Sequence, residues 1–174
     1  KSGGMTARDG FLIVGLSWIA MSLFGALLFV LTGDIPNYVD ALFETISGLT
    51  TTGASVVTSP ESMTRGGMFW RLFTHWIGGM GILVFVLAVL PMSGNRSMHI
   101  MRAEVPGPTV GKLVPRIRKT ASILYLLYIA LTLVEMVLLI AGGMSFYDAL
   151  LHAFATAGTG GLSTRALSIG YYNS

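Results

Sequence analysis

Three long apolar stretches dictate what this chain can become. Residues 11–31 read FLIVGLSWIAMSLFGALLFVL, residues 69–90 read FWRLFTHWIGGMGILVFVLAVL, and residues 121–141 read ASILYLLYIALTLVEMVLLIA. A helix of about 20 such residues covers the ~30 Å hydrocarbon core of a bilayer. The first stretch carries no charge and is apolar on every side, as suits a helix surrounded by lipid or by other helices. Only 11% of the 174 residues are charged and 53% are hydrophobic, whereas soluble domains carry about a quarter charged residues. The expected fold is an all-α integral membrane bundle.

The segments between the spans are too short to cross. Gly33, Asp34 and Pro36 break the first span, and VDALFETISGL follows at 39–49, helix-compatible but short. TTTGASVVT comes next, poor in helix formers. A short helix leading into glycine-containing backbone reads as a re-entrant loop, tolerated at membrane depth only where protein buries it or where it lines a watery cavity. The second span is expected to stop at Pro91. Residues 92–119 then hold Arg96, Arg102, Lys112, Arg116, Arg118 and Lys119 against one acid, Glu104; with Lys1 and Arg8, eight of eleven Lys and Arg fall on one side. That side is predicted to be cytoplasmic, and the loop with Asp34, Asp40, Glu44 and Glu61 to face outward. The isoelectric point of about 9.5 is thus a topology signal, and no nucleic-acid partner is implied. With no cysteine, disulfides and thiolate metal sites are excluded.

The organisation repeats. A shift of 108 residues lays Asp40-Ala41-Leu42 on Asp148-Ala149-Leu150, Thr51 on Thr159, Gly53 on Gly161 and Ser55 on Ser163, six identities in sixteen ungapped positions. The unit is helix, short helix, glycine turn, helix, in the same orientation twice, a parallel repeat about an axis normal to the membrane. The expected divisions are a first helix–pore loop–helix repeat at 1–91, a cytoplasmic connector at 92–119 and half of a second repeat at 120–174. Each turn carries Thr-x-Gly-x-Ser: Thr51, Thr52, Gly53, Ala54 and Ser55, then Thr159, Gly160, Gly161, Leu162 and Ser163. A potassium filter replaces the ion's water shell with backbone carbonyls, and glycine permits the unusual φ/ψ values that aim them. The short helices would point their negative C-terminal ends at a cation. Residues 51–54 and 159–162 are the expected ion-binding backbone. Gly160 stands where the first loop has Thr52, so it is expected to tolerate substitution better than Gly53 or Gly161.

On RDGFLIVGLSW, DALFETISGLTTTGAS, HWIGGMGILVFVLAVLP, MRAEVPGPTVGKLVPRI and HAFATAGTGGLSTRALSIGYY, the chain resembles the pore-forming subunit of the bacterial Trk/Ktr potassium uptake family. RAEVPGP and SIGYY place it nearer the Trk branch. The resemblance spans nearly the whole chain and implies four such repeats in a longer protein, of which this would be the first and half of the second. It also implies potassium as the transported ion, a multi-pass protein of the bacterial inner membrane, a homodimer of full-length chains and a cytoplasmic nucleotide-binding ring. Connector 92–119 would be a docking surface for that ring.

Other residues have bland and sharp readings. Gly78-Gly79-Met80-Gly81 lacks the strand that a nucleotide-binding glycine motif needs and reads as a close helix contact. His75, His99 and His152 lack metal-ligand spacing and read as interfacial or satisfied packing. Glu44 and His152 align in the repeat and are expected to brace the loops by hydrogen bonds. Glu135 lies in a span, towards its outer end, where it can snorkel to the interface. Asp40 and Asp148 read as N-caps of the short helices. Two other functions compete: a secondary cation-coupled transporter, and an intramembrane hydrolase using Ser47 or Ser55 with His75, which no hydrolase motif supports. No enzymatic activity is expected.

Overall fold

The computed structural model describes residues 7–89 and 114–172. Five helices follow in chain order: α1 Ala7–Thr32, α2 Tyr38–Leu49, α3 Arg65–Val89, α4 Val114–Ala141 and α5 Phe146–Ala157. Short 3₁₀ turns lie at Pro60–Ser62 and Ser168–Tyr172. The helix α4 begins at Val114, so Arg116, Arg118 and Lys119 stand in its first two turns, inside the segment expected as connector. The helix α3 extends across the second predicted span but leaves helical geometry at Gly81, with φ 69 and ψ 138. Leu90, Pro91, His99, Arg96, Arg102, Lys112 and Glu104 lie outside the described residues.

Two of these helices, over Leu12–Thr32 and Ala121–Ala141, are long and apolar enough to cross a membrane. Only 6% of the second window is buried within the protein. Its outward leucines, such as Leu126 and Leu138, and Leu16, Phe24 and Leu31 of α1, need a lipid-like surrounding. The short α2 and α5 dip between the long helices. Packing is sequential: α1 lies on α2, α2 on α3, and α3 on both α4 and α5.

The core forms where α3 meets these neighbours. Met68 and Leu72 of α3 pack with Leu151, Phe154 and Ala155 of α5, and Phe73 and Trp76 join them. A second cluster unites Ala26 and Phe29 of α1 with Ile35 and Ala41. Polar bonds pin the same seams: Trp70 Nε1 donates to the Gly25 carbonyl, Trp76 Nε1 to Thr132 Oγ1, and Tyr128 OH to the Trp76 carbonyl. At the turn between α1 and α2, Asp34 accepts from Thr64 N–H at 2.6 Å and from the hydroxyls of Thr64 and Thr32 at 2.7 Å. Gly67 sits against that carboxylate, where a Cβ would come within 2.0 Å of Oδ2.

The two repeats differ in how they are covered. Leu151 and Phe154 of α5, 0% and 9% exposed, lie under α3. Their counterparts 108 residues earlier on α2, Phe43 and Ile46, are 46% and 42% exposed, and Val39, the counterpart of Tyr147, is 70% exposed.

Candidate functional site: two loops braced on one helix

Each loop grows out of the end of a short helix. Asn37 caps α2 by accepting from Val39 N–H, and Ser145 caps α5 by accepting from Asp148 N–H. These are equivalent positions, three residues before the expected caps. Asp40 and Asp148 instead occupy the first turn, where a carboxylate meets the positive end of the helix. Asp148 also accepts from the hydroxyls of Ser145 and Thr164, tying helix start to the segment after the second loop.

At the other end the chain closes each helix in the same way. Thr51 N–H bonds the Gly48 carbonyl at 3.0 Å and Thr52 N–H bonds the Ser47 carbonyl at 2.9 Å; Thr159 and Gly160 bond Thr156 and Ala155 at 2.9 Å each. This is a Schellman closure, which requires a left-handed residue just past the helix. Threonine fills that place in both copies, with φ 55 at Thr51 and at Thr159. A β-branched residue there is strained. Two residues on, Gly53 and Gly161 have φ 75 and 69. Each loop therefore alternates a left-handed residue, an ordinary one and a left-handed glycine, a pattern that lets successive peptides turn the same way.

The loops touch. A Cβ on Gly53 would fall 2.2 Å from the Gly160 carbonyl oxygen. Gly160 is buried, Thr51 is half-buried, and Thr52, Ala54, Thr159 and Gly161 are exposed. Leu162 is half-buried and packs on the core around Leu72 and Phe154.

The expected braces are present and use different chemistry. In the first repeat Glu44, 2% exposed, accepts from Ser55 Oγ at 3.0 Å and from Val56 N–H at 3.0 Å. In the second, His152 Nε2 pairs with Ser163 Oγ at 2.9 Å, and Nδ1 with the Asp148 carbonyl at 2.8 Å. Both serines also accept from the N–H two residues on, Val57 and Arg165.

Sequence reasoning passed over Arg71. It is 4% exposed; its Nε meets Glu44 Oε1 at 2.6 Å, and its Nη2 donates to Ser55 Oγ at 2.7 Å. The signal was available, since a lone arginine inside an apolar span needs a partner; the partner 27 residues earlier was not legible. The same helix reaches both short helices lower down. A Cβ on Gly78 would meet the Leu49 carbonyl oxygen at 2.2 Å, and one on Gly79 the Gly158 Cα at 2.8 Å. The predicted close helix contact is therefore real, and it is made with the ends of α2 and α5.

His75 departs from expectation. It is 0% exposed, but neither ring nitrogen has a hydrogen-bond partner among the described residues, nor has Ser47 Oγ. It is packed but not satisfied. Ser55 is engaged with Glu44 and Arg71, so neither serine is paired with His75 as a nucleophile would be with its base. Glu135 is half-buried. No group of three potential metal-ligating side chains occurs among the described residues.

Parallel helix–pore loop–helix repeats in an all-helical membrane fold define a transport protein of the pore-loop class. Comparison with known proteins places the chain within that class. The model of the TrkH family, described as a cation transport protein, matches residues 2–174, and the chain belongs to that family. It is 44% identical over 172 residues to the Trk system potassium uptake protein TrkH of Halomonas elongata, covering 98% of this chain and 36% of that protein. It is also 44% identical to the TrkH of Escherichia coli K12 over 177 residues, 100% of this chain and 36% of that one. The crystal structure of the potassium transporter TrkH from Vibrio parahaemolyticus superposes with a TM-score of 0.74 at 38% identity, covering 99% of this chain and 34% of that chain. The chain thus spans about a third of the length of these relatives.

Proposed function

We propose that this chain contributes two of the selectivity loops of a potassium-uptake pore in the bacterial inner membrane. The backbone of Thr51, Thr52, Gly53 and Ala54, and of Thr159, Gly160, Gly161 and Leu162, offers carbonyls to the dehydrated ion. The observation that carries this reading is the duplicated backbone: the same Schellman closure, with left-handed residues at the same two places, at the ends of two short helices whose loops touch. The C-terminal dipole ends of α2 and α5 favour a cation there. Potassium is the transported ion in this reading, not a structural cofactor. Residues 1–91 would form a complete repeat, 92–119 a cytoplasmic connector and 120–174 half of the next repeat. The full protein, as a homodimer, would meet a cytoplasmic nucleotide-binding ring through the basic residues around Arg116, Arg118 and Lys119.

The test is rubidium uptake into cells or vesicles by the full-length protein, with sodium as competitor. Gly53→Ser is expected to let sodium compete while expression stays near wild type. A left-handed residue with a Cβ costs about 1–2 kcal/mol, and at Gly53 the Cβ also strikes the Gly160 carbonyl. Gly161→Ser meets open space, so only the φ penalty applies and its effect is expected to be smaller. Wild-type discrimination in both variants would sink the reading.

A further inference from the structure

We infer that His75 is a specificity-determining positioning residue: its imidazole is the rigid backing of the second loop at Gly160, and the two residues form a matched pair. The inference rests on the reading of 51–54 and 159–162 as ion-binding loops.

Three observations carry it. His75 is fully buried, on α3 one turn beyond Arg71. A Cβ built on Gly160 would fall 1.9 Å from Nδ1 of His75 and 2.6 Å from Cγ and Cε1, so the ring fills the space in which a side chain would begin. Neither ring nitrogen has a hydrogen-bond partner among the described residues. What the ring supplies at Gly160 is therefore shape, not a hydrogen bond.

The pair explains why the two loops differ in sequence. The first places Thr52 where the second places Gly160. Thr52 is exposed, and its hydroxyl pairs with that of Thr50 at 2.7 Å. Gly160 is buried, and the volume a side chain would need is occupied by the imidazole. The extra glycine of the second loop is thus required by His75, which reverses the expectation that it tolerates substitution. One helix sets both loops: Arg71 holds the first through Glu44 and Ser55, and His75 holds the second. Since the Gly160 carbonyl abuts Gly53, a displacement behind the second loop passes to the first. The placement, number or field strength of carbonyl oxygens governs which ion is preferred, so the ring controls selectivity without touching the ion.

The experiment uses full-length protein in vesicles, reading rubidium uptake under sodium competition, with thermal stability in detergent alongside. His75→Ala is expected to lower the preference over sodium about tenfold. His75→Phe, a flat ring of similar size, is expected to hold it within about twofold. Gly160→Ala is expected to lose preference, and Gly160→Ala with His75→Ala to regain part of it, because the added methyl enters the space the ring leaves. Should His75→Ala fail to accumulate, His75→Asn carries the same expectation. Wild-type discrimination in these truncations, while Gly53→Ser has lost it, overturns the assignment and leaves the loops as the filter. Equal loss in the Phe and Ala variants, or a double variant no better than Gly160→Ala, overturns the matched pair. Retained discrimination in both Gly53→Ser and Gly161→Ser is the separate failure of the filter itself.

Discussion

Burying Arg71 and Glu44 removes two charges from water, and their attraction offsets that loss only when the remaining polar atoms are also met. Here they are: Ser55 and the Val56 N–H complete the carboxylate, and Ser55 takes a second guanidinium nitrogen. Arg71→Met would leave Glu44 buried without its counter-ion, a loss of about 3–5 kcal/mol. The expected outcome is a much lower melting temperature in detergent for the single variant, with a large part recovered when Glu44→Gln is added. An additive double variant would show that the two are not coupled. At this scale the sequence was partly legible. Aligning the repeats paired Glu44 with His152 and so foretold a brace in each loop. The arginine itself was visible but its partner was hidden by distance in sequence, and the orphaned nitrogens of His75 were hidden because burial without partners leaves no pattern in a chain of letters. The caps were placed three residues late: aspartate is a good cap in general, but Asn37 and Ser145 stand where the backbone turns.

Between elements, the Asp34 clamp fixes the end of α1 against the start of α3. Burial alone would raise its pKa, but the Thr64 N–H and the hydroxyls of Thr32 and Thr64 outweigh burial and hold the carboxyl below its ordinary value. The folded value lies below the unfolded one, so the clamp's contribution is complete above the unfolded value, roughly pH 4, and is lost as pH falls through the depressed folded value. Melting temperature should be insensitive to this group near neutrality and decline in acid, and Asp34→Asn should flatten that decline. An acid limb unchanged in Asp34→Asn would remove the clamp from the account. Element type and order followed from apolar length, glycine and proline alone. Two details did not: α4 starts at Val114, because a run that looks polar from the membrane's viewpoint is still helix-compatible, and α3 is broken at Gly81, where a glycine inside an apolar run gives no warning of its φ.

For the whole molecule, orientation is the first thing to establish. The chain has no cysteine, so single cysteines report cleanly. One at Ser59, exposed beside the Pro60–Ser62 turn, should react with an impermeant reagent from outside, and one at Ser97 should not. The opposite labelling would reverse the pore. The segments before α3 and after the second loop also join the two repeats, since Glu61 accepts from Ala166 N–H at 2.7 Å. The bare stripe of Val39, Phe43 and Ile46 carries a consequence for how such a protein is made. The cover that α3 gives α5 runs one way, from the first unit to the second, like one roof tile lapping the next. The second unit therefore has its cover ready before α5 leaves the ribosome, whereas Val39, Phe43 and Ile46 of α2 must find theirs in lipid or in protein beyond the described residues.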